Sequence, residues 1–438
     1  MTVTEGRSAS RGVGGLRGLL RGTAGIAVAI VVMNVSTYAF QMLAARLLGP
    51  EQYGGVASLM AVLLVVAVVQ LGLQATAARR ISATPEHVGQ IERVVLAVTY
   101  RAALALGLVM LVVSPVIWQV LRLDTITPAI LLAIAAVPLT VQGGQAGILQ
   151  GERRWGALGA LYLSMGVSRI VIGTVCMLLR PTEAGAMLGV AVALVAPVVV
   201  GHLALRRPRD AGQHSSVNSL RPVLAEAARS SMALLAFYVL SNTDIVVARN
   251  VLDSHDAGLY ASGLILAKVV LFLPQFVVVL AFPSMSTAGE RRLALLRSLA
   301  LMLGLAICAV LGAILLSGVA MVFVGGEKYA DVEEHLWAFA VLGSLMAMLQ
   351  LLVYSVLARQ GTRSAYLIWL AVGVLVVLSL RADTLVSLIA TVISVDAVLL
   401  VALLSLSLWR MSRLEEEGEA AGAGGDDPAK HAAPPPAG

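Results

Sequence analysis

The sequence predicts an all-α polytopic membrane protein with about twelve transmembrane helices in two six-helix lobes. Of its 438 residues, 59% are hydrophobic and only 13% are charged, whereas soluble domains carry roughly a quarter charged residues. The apolar residues come in runs of about twenty, the length that a helix needs to cross about 30 Å of hydrocarbon. A transmembrane barrel would instead show alternating segments of about ten residues. The pattern therefore favours spanning helices.

Six apolar runs lie on either side of a polar segment near the middle of the chain. The predicted spans are 23–45, 56–78, 98–119, 127–149, 157–179, 184–205, 226–248, 259–282, 298–323, 335–357, 364–380 and 385–409. They divide the chain into an N-terminal segment (1–22), a first lobe (23–205), a linker (206–225), a second lobe (226–411) and a tail (412–438). The tail is rich in Ala, Gly and Pro after three glutamates, so we predict that it is disordered.

The basic residues of the loops predict the orientation in the membrane. One side of the alternating loops carries only Arg46, Arg122, Arg180, Arg249, Lys328 and Arg381. The other side carries twenty basic residues, so this side and both termini are expected to be cytoplasmic. The formal net charge of +6 then reflects topology and contact with membrane lipids. No nucleic-acid partner is expected.

Several functional classes find no support in the sequence. Cys176 and Cys308 both fall inside apolar runs, and the six histidines have no ligand spacing, so no metal site and no cofactor are expected. A nucleotide-driven pump would need a phosphate-binding Gly-x-x-x-x-Gly-Lys-Ser/Thr loop, and the sequence has none. No catalytic residue is assigned, because the short loops offer no cluster of acid and base groups.

The two halves share a local repeat. Arg46 ends the first span and is followed by a turn, Tyr53-Gly54 and an Ala-Ser pair. Arg249 ends the seventh span and is followed by a turn, Gly258-Leu-Tyr260 and another Ala-Ser pair. Repeats in the same orientation predict two lobes related by a pseudo-two-fold axis along the membrane normal.

These residues carry a resemblance to a known family. The stretch ARLLGPEQYGGVASLMAVLLVVAVVQLGLQATAARRIS (Ala44 to Ser82) resembles the opening of bacterial polysaccharide-biosynthesis flippases. These proteins form a branch of the MATE-like multidrug/oligosaccharidyl-lipid/polysaccharide (MOP) exporter superfamily. Two further stretches, Asn242 to Lys268 and the FPSMS motif Phe282 to Ser286, are similar to the same family.

The resemblance implies a fold, a cargo and a setting. The fold would be two six-helix lobes around a central cavity that opens alternately to either face. The cargo would be a polyprenyl-pyrophosphate-linked oligosaccharide, flipped across the bacterial cytoplasmic membrane. Glycosyltransferases and a polymerase of the same pathway would be partners. The alternatives are a multidrug or cation antiporter of the same fold and, with less support, a membrane enzyme of polysaccharide assembly.

Charged side chains inside the spans are the first site candidates, because burying a charge at a helix centre costs about 2.5–3.5 kcal/mol. Arg169 and Lys268 are predicted to bind a pyrophosphate from the cavity, since guanidinium and ammonium groups satisfy phosphate oxygens. The alternative is that each forms a structural pair with a carboxylate such as Asp396. Asp244 and Asp396 are predicted either to couple transport to an ion or to form structural pairs, Asp244 with Arg249 and Asp396 with Arg169 or Lys268.

Amide side chains inside the spans are the second group of candidates, because amides can line a hydrated cavity that binds sugar. The predicted cavity residues are Asn34, Gln41, Gln70, Gln74 and Gln275. Each amide is equally able to form hydrogen bonds that hold neighbouring helices together.

Overall fold

The computed structural model describes residues 10–206, 219–271, 291–357 and 362–423, and these ranges contain helices and no strand. The first lobe (N-lobe) contains α1 (Ser10–Ala83), a 3-10 turn (Pro85–His87), α2 (Val88–Val120), α3 (Thr127–Gly151), α4 (Trp155–Leu179), α5 (Glu183–Ala193) and α6 (Val195–Leu205). The second lobe (C-lobe) contains α7 (Leu220–Val251), α8 (Ser254–Leu271), α9 (Arg291–Leu315), α10 (Ser317–Val324), a 3-10 segment (Glu327–His335), α11 (Leu336–Leu357), α12 (Thr362–Ser379) and α13 (Leu385–Ala423).

Helix α1 supplies two spans because it kinks sharply at Gly49. Gly49 has φ 78° and ψ 173°, a backbone conformation that glycine adopts without the steric cost of a Cβ atom. Pro50 follows and disfavours helical geometry in the residue before it. The part of α1 before Gly49 is called the first arm, and the part from Pro50 onward the second arm.

The sixth span is broken between α5 and α6. Pro197 has no N–H to donate to the carbonyl of Ala193, four residues earlier. The Ser168 hydroxyl of α4 donates to that carbonyl instead, at 2.9 Å. The break therefore costs no hydrogen bond at this carbonyl, and it fixes α4 against the middle of the sixth span.

The predicted fold class is confirmed within the described residues. Nine of the helices are long and apolar enough to cross a membrane, and one of these contains both arms of α1. Together with the shorter helices α8 and α12, the described residues form six spans in each lobe. Large apolar side chains face outward, among them Leu104 at 72% and Val112 at 71% exposure, as expected for a surface that contacts lipid.

Two helices extend past the predicted lobe boundaries. Helix α1 begins at Ser10, inside the predicted N-terminal segment. Helix α13 continues to Ala423, inside the segment predicted to be disordered. Glutamate, alanine and leucine have high helix propensity, and their abundance after Arg413 allows α13 to continue beyond the apolar run. Residues 1–9, 207–218 and 424–438 lie outside the described residues.

The repeat seen in the sequence is also present in the packing. In the N-lobe, the first arm packs on α4, the second arm on α3, and α2 on α3. The corresponding helices of the C-lobe form the same pairs: α7 with α12, α8 with α11, and α9 with α11. The two lobes therefore share one topology.

The lobes meet along two helix pairs, the second arm with α7 and the first arm with α8. Backbones come closest at the end of the bundle that carries the kink, here called the Gly49 face. A Cβ atom on Gly258 would lie 2.0 Å from the carbonyl oxygen of Pro50. At the opposite end, Arg80 Nε lies 2.7 Å from Glu226 Oε2 of α7. The second arm and α7 therefore stay in contact over most of their length.

Candidate functional site

Arg169 lies in the interior of the N-lobe, on the face of α4 that packs against the first arm. Gly166 and Gly173, three and four residues away on the same helix face, mark this contact. A Cβ atom on Gly166 would lie 2.7 Å from Met33 Cα, and one on Gly173 would lie 2.4 Å from a ring carbon of Phe40. Arg169 is thus placed at membrane depth, far from both ends of α4.

The Arg169 guanidinium has no counter-ion in the part of the chain that the structure describes. The side chain is only 8% exposed, and its buried Nε has no hydrogen-bond partner. The predicted alternative, a structural pair with Asp396, is not formed: Arg169 belongs to α4 of the N-lobe and Asp396 to α13 of the C-lobe. A buried cation without a partner is costly, so this site is suited to an anion that arrives from outside the protein.

The C-lobe interior holds a second group of ionisable residues, drawn from α7, α8 and α13. The Tyr260 hydroxyl donates to Asp244 Oδ2 at 3.0 Å. The Asp244 carboxylate interacts electrostatically with both Lys268 and Asp396. Asp244 and Asp396 are 0% and 1% exposed, and each has one carboxylate oxygen without a hydrogen bond.

The partners of these residues differ from those considered from the sequence. Asp244 accepts a hydrogen bond from Tyr260, whereas Arg249 lies near Glu183. The Lys268 ammonium interacts electrostatically with Asp244. Tyr260 is a site residue that the sequence did not predict, although it lies in the Gly258-Leu-Tyr260 element of the second half of the repeat, which was the available signal.

The amides fall into two groups according to the helix face that carries them. Asn34 and Gln41 share the face of the first arm that carries Tyr38, since these positions lie one and two turns apart. The Tyr38 hydroxyl donates to the carbonyl of Lys268 at 3.3 Å, so this face is directed at the C-lobe. Asn34 and Gln41 therefore lie at the seam between the lobes, the position from which side chains would line a central cavity.

Gln70 and Gln74 lie instead inside the N-lobe, where the second arm meets α3. The Gln74 amide donates to Gln150 Oε1 at 2.9 Å and to the Tyr162 hydroxyl at 2.8 Å. It thus links three helices, the alternative role considered for such amides. Gln70 packs against Gly143. Gln275 lies outside the described residues.

Metal ligands are not clustered in the described part of the chain, where no group of three or more His, Cys, Asp or Glu side chains could hold an ion. The ionisable residues are instead divided between the lobes. One buried cation without a partner lies in the N-lobe, and two buried carboxyl groups with a lysine lie in the C-lobe. This distribution can bind an anion on one side and a small cation or a proton on the other.

Comparison with known proteins identifies the family. Residues 19–289, more than half of the chain, match the sequence profile of a family described as polysaccharide biosynthesis protein. A search of the curated proteins finds no match.

Solved structures show the same fold at low sequence identity. An inward-facing multidrug resistance MATE transporter of the MOP superfamily matches with TM-score 0.71 and 16% identity, over 88% of this chain and 96% of that one. A MOP-superfamily transporter from Pyrococcus furiosus with a binding pocket of reverse polarity matches with TM-score 0.64 and 15% identity, over 90% and 96%. An outward-facing MATE transporter matches with TM-score 0.60 and 15% identity, over 90% and 96%.

The fold is the one seen in the matching MATE and MOP-superfamily transporters. The helices and their lipid-facing surfaces make the chain a multi-pass membrane protein. The chain therefore belongs to the polysaccharide biosynthesis protein family, and its fold resembles that of the MATE and MOP-superfamily transporters that it matches.

Proposed function

We propose that this transporter flips a polyprenyl-pyrophosphate-linked oligosaccharide across the membrane by alternating access. The observation that carries the proposal is Arg169, a buried guanidinium without a counter-ion among the described residues. Membership of the polysaccharide biosynthesis family supports a glycan cargo. A pyrophosphate would supply the negative charge that the site lacks, through charge-assisted hydrogen bonds.

Lys268 is proposed as the second cation of the cargo site. Its carbonyl accepts a hydrogen bond from Tyr38 of the first arm, so this turn of α8 borders the N-lobe. Its side chain keeps partial exposure, unlike the fully buried Asp244. Asn34 and Gln41, on the facing stripe of the first arm, would offer hydrogen bonds to the sugar hydroxyls.

The mechanism is a rocking of one lobe against the other. The shared topology of the lobes and their two-pair seam suit a motion in which the cargo site is exposed first to one face and then to the other. The positive-inside bias supports placing the Gly49 face outside and both termini in the cytoplasm. We propose the bacterial cytoplasmic membrane as the location, and glycosyltransferases and a polymerase of the same pathway as partners.

Asp244 and Asp396 support a second function, export of a cationic compound or antiport with a cation, because buried carboxylates attract positive charge. We favour the flippase because these carboxylates already lie near Lys268 and Tyr260. Their proposed role is to bind the proton or monovalent cation that couples transport to the membrane gradient.

The test is translocation of a short-chain undecaprenyl-pyrophosphate sugar in proteoliposomes. We expect Arg169→Gln and Lys268→Gln to lower the flipping rate about ten- to hundredfold, since a hydrogen bond to a charged group contributes about 1.5–3 kcal/mol. Arg101→Gln in the N-lobe and Arg229→Gln in the C-lobe are the matched controls. Both remove one positive charge from an exposed position and should leave the rate unchanged.

Two outcomes would contradict the proposal. Equal rates in wild type and in stable, correctly inserted Arg169→Gln would remove the guanidinium from the cargo site. Export of cationic dyes without flipping of any glycan lipid would replace the flippase with the antiporter.

A further inference from the structure

Arg249, the last basic residue of α7, crosses from the C-lobe into the N-lobe at the Gly49 face. Its Nε donates to the carbonyl of Leu121 at 3.0 Å, and its Nη2 donates to the carbonyl of Arg122 at 2.8 Å. A longer contact joins Nη1 to the carbonyl of Glu51 at 3.4 Å. The side chain is only 4% exposed, so these bonds are shielded from water.

The two shorter bonds are made at the C-terminus of α2, which ends at Val120. The last carbonyls of a helix have no partner within the helix and carry the negative end of its dipole. A guanidinium presents several N–H groups in one plane and can satisfy two such carbonyls at once. Arg249 therefore caps a helix that belongs to the other lobe.

Arg122 donates a hydrogen bond in the opposite direction, from the N-lobe to the C-lobe. It has φ 48°, a left-handed conformation that glycine usually fills at this position after a helix. Its Nη2 donates to the carbonyl of Asn250 at 2.8 Å, and the Asn250 amide donates to Val120 at 2.9 Å. The end of α2 and the end of α7 thus hold each other by hydrogen bonds in both directions.

Arg46 occupies the equivalent position in the first half of the repeat, at the end of the first arm. It donates to the carbonyl of Val322 near the end of α10, in the C-lobe. The Tyr329 hydroxyl donates to the carbonyl of Ala45 at 2.9 Å, and Lys328 Nζ donates to the carbonyl of Arg46 at 3.4 Å. Each arginine therefore reaches the third span of the opposite lobe.

The two contacts differ in strength because only Arg249 has a carboxylate nearby. Glu183 Oε1 lies 3.9 Å from Arg249 Nη2, and its Oε2 accepts the N–H of Asp124 at 3.3 Å. Gly55 leaves room for this carboxylate, since a Cβ atom there would lie 1.7 Å from Glu183 Oε1. Arg46 is exposed, and no carboxylate of the described residues forms an ion pair with it.

We propose that Arg46 and Arg249 form a reciprocal clasp that holds the two lobes together at the Gly49 face and must release before the lobes separate there. Every bond of the clasp joins one lobe to the other, so none can survive separation. The contacts also explain why two arginines stand on the side of the membrane that is poor in basic residues. The inference does not depend on the identity of the cargo.

Spin-label distances across the Gly49 face test the clasp without any cargo. Thr125→Cys in the N-lobe and Ala330→Cys in the C-lobe are exposed labelling positions, introduced together with Cys176→Ser and Cys308→Ser. Double electron–electron resonance in nanodiscs should show one short distance in the protein with an intact clasp. Arg46→Gln should add a longer distance, Arg249→Gln should enlarge that population further, and the double variant should make it dominant.

Arg180→Gln and Arg381→Gln are the matched controls, one in each lobe. Both residues are exposed near the Gly49 face, and neither side chain forms a hydrogen bond within the described ranges, so the short distance should persist. Arg249→Gln leaves the Glu183 carboxylate without its cation. Arg249→Lys keeps the positive charge but lacks the planar set of N–H donors, so it should show an intermediate population of the longer distance. An unchanged short distance in Arg46→Gln and in the double variant would overturn the clasp. Equal shifts in the control variants would show that loss of any positive charge at the Gly49 face separates the lobes, which would contradict a specific role of Arg46 and Arg249.

Discussion

His255 is a titratable contact between the lobes at the Gly49 face. Its Nδ1 lies 3.2 Å from Glu51 Oε1 of the N-lobe, and its Nε2 lies 3.7 Å from Asp331 Oδ2. The hydrogen bond with Glu51 raises the pKa of His255, and burial opposes this rise. The charge of Glu51, the hydrogen bond with Asp331 and the charge of Asp256 raise the pKa further, so the net shift is upward. The raised pKa means that the closed arrangement binds the proton more tightly than free histidine does.

This contact predicts that low pH favours closure of the Gly49 face. A raised pKa contributes stability that is complete below the ordinary histidine value of about 6.5 and is lost as the pH rises through the raised value. The spin-label pair at Thr125 and Ala330 should therefore show more of the longer distance at about pH 8.5 than at about pH 5.5.

His255→Gln should abolish this pH dependence, because glutamine does not titrate in this range. Since His255 is 43% exposed, solvent screens the contact and the change is expected to be modest. If the population with the longer distance increased as the pH fell, it would contradict the prediction that low pH favours closure.

At the scale of single helices, α3 owes its position to glycines on the face that packs against the second arm. A Cβ atom on Gly143 would lie 2.6 Å from the carbonyl oxygen of Gln70, and one on Gly147 would lie 2.5 Å from that of Gln74. The two backbones are therefore nearly in contact. Small residues that allow such approach are a common way for helices to associate in membranes, where van der Waals packing provides much of the driving force.

Gly143→Ala should lower the thermal stability of the purified protein, although alanine favours a helix by about 1 kcal/mol over glycine. The added methyl group meets backbone atoms that cannot move without separating α3 from the second arm. The measurement is thermal unfolding in detergent, followed by the loss of helical circular dichroism.

Gly304→Ala on α9 is the matched control, because nothing lies within 4 Å of the position of its Cβ atom. It should leave the unfolding temperature unchanged or raise it slightly. Equal unfolding temperatures for Gly143→Ala and Gly304→Ala would show that the packing of α3 tolerates a methyl group.

At the scale of the whole molecule, two lobes of one topology carry different charges in their interiors. The N-lobe places Arg169 on its fifth span, whereas the C-lobe places Asp244 and Asp396 on its first and sixth spans. In the proposed mechanism, Arg169 would serve the anionic cargo and the two carboxylates the coupling ion. Both groups would respond to the same rocking motion.

Asp244→Asn and Asp396→Asn should remove the response of transport to an imposed proton or sodium gradient. Glycan flipping in proteoliposomes would be compared with and without each gradient, with stability checked by thermal unfolding. Asp383→Asn, at an exposed carboxylate of the C-lobe, is the matched control and should keep the full response. A gradient response that persists in stable Asp244→Asn and Asp396→Asn would leave these carboxylates with a structural role only.

The sequence was sufficient to predict the fold class, because long apolar runs have no stable alternative to helices within a bilayer. It also pointed to Arg169, Lys268, Asp244 and Asp396, since a charge in an apolar run is conspicuous. Their roles in transport stay predictions. The breaks were harder to predict, because a proline such as Pro115 is accommodated within a continuous helix whereas Pro197 lies at a break.

Partners across helices were decided only by the tertiary structure. The sequence alone left Asp244 with Arg249 as a local partner, but packing brings Tyr260 to Asp244 and sends Arg249 into the other lobe. The reason is that the partner of a side chain depends on where its helix crosses its neighbours and on how deep the side chain lies in the membrane. The spacing of residues along the chain specifies neither. Hydropathy fixes which segments enter the membrane, whereas the close approach of backbones fixes which charged groups meet there.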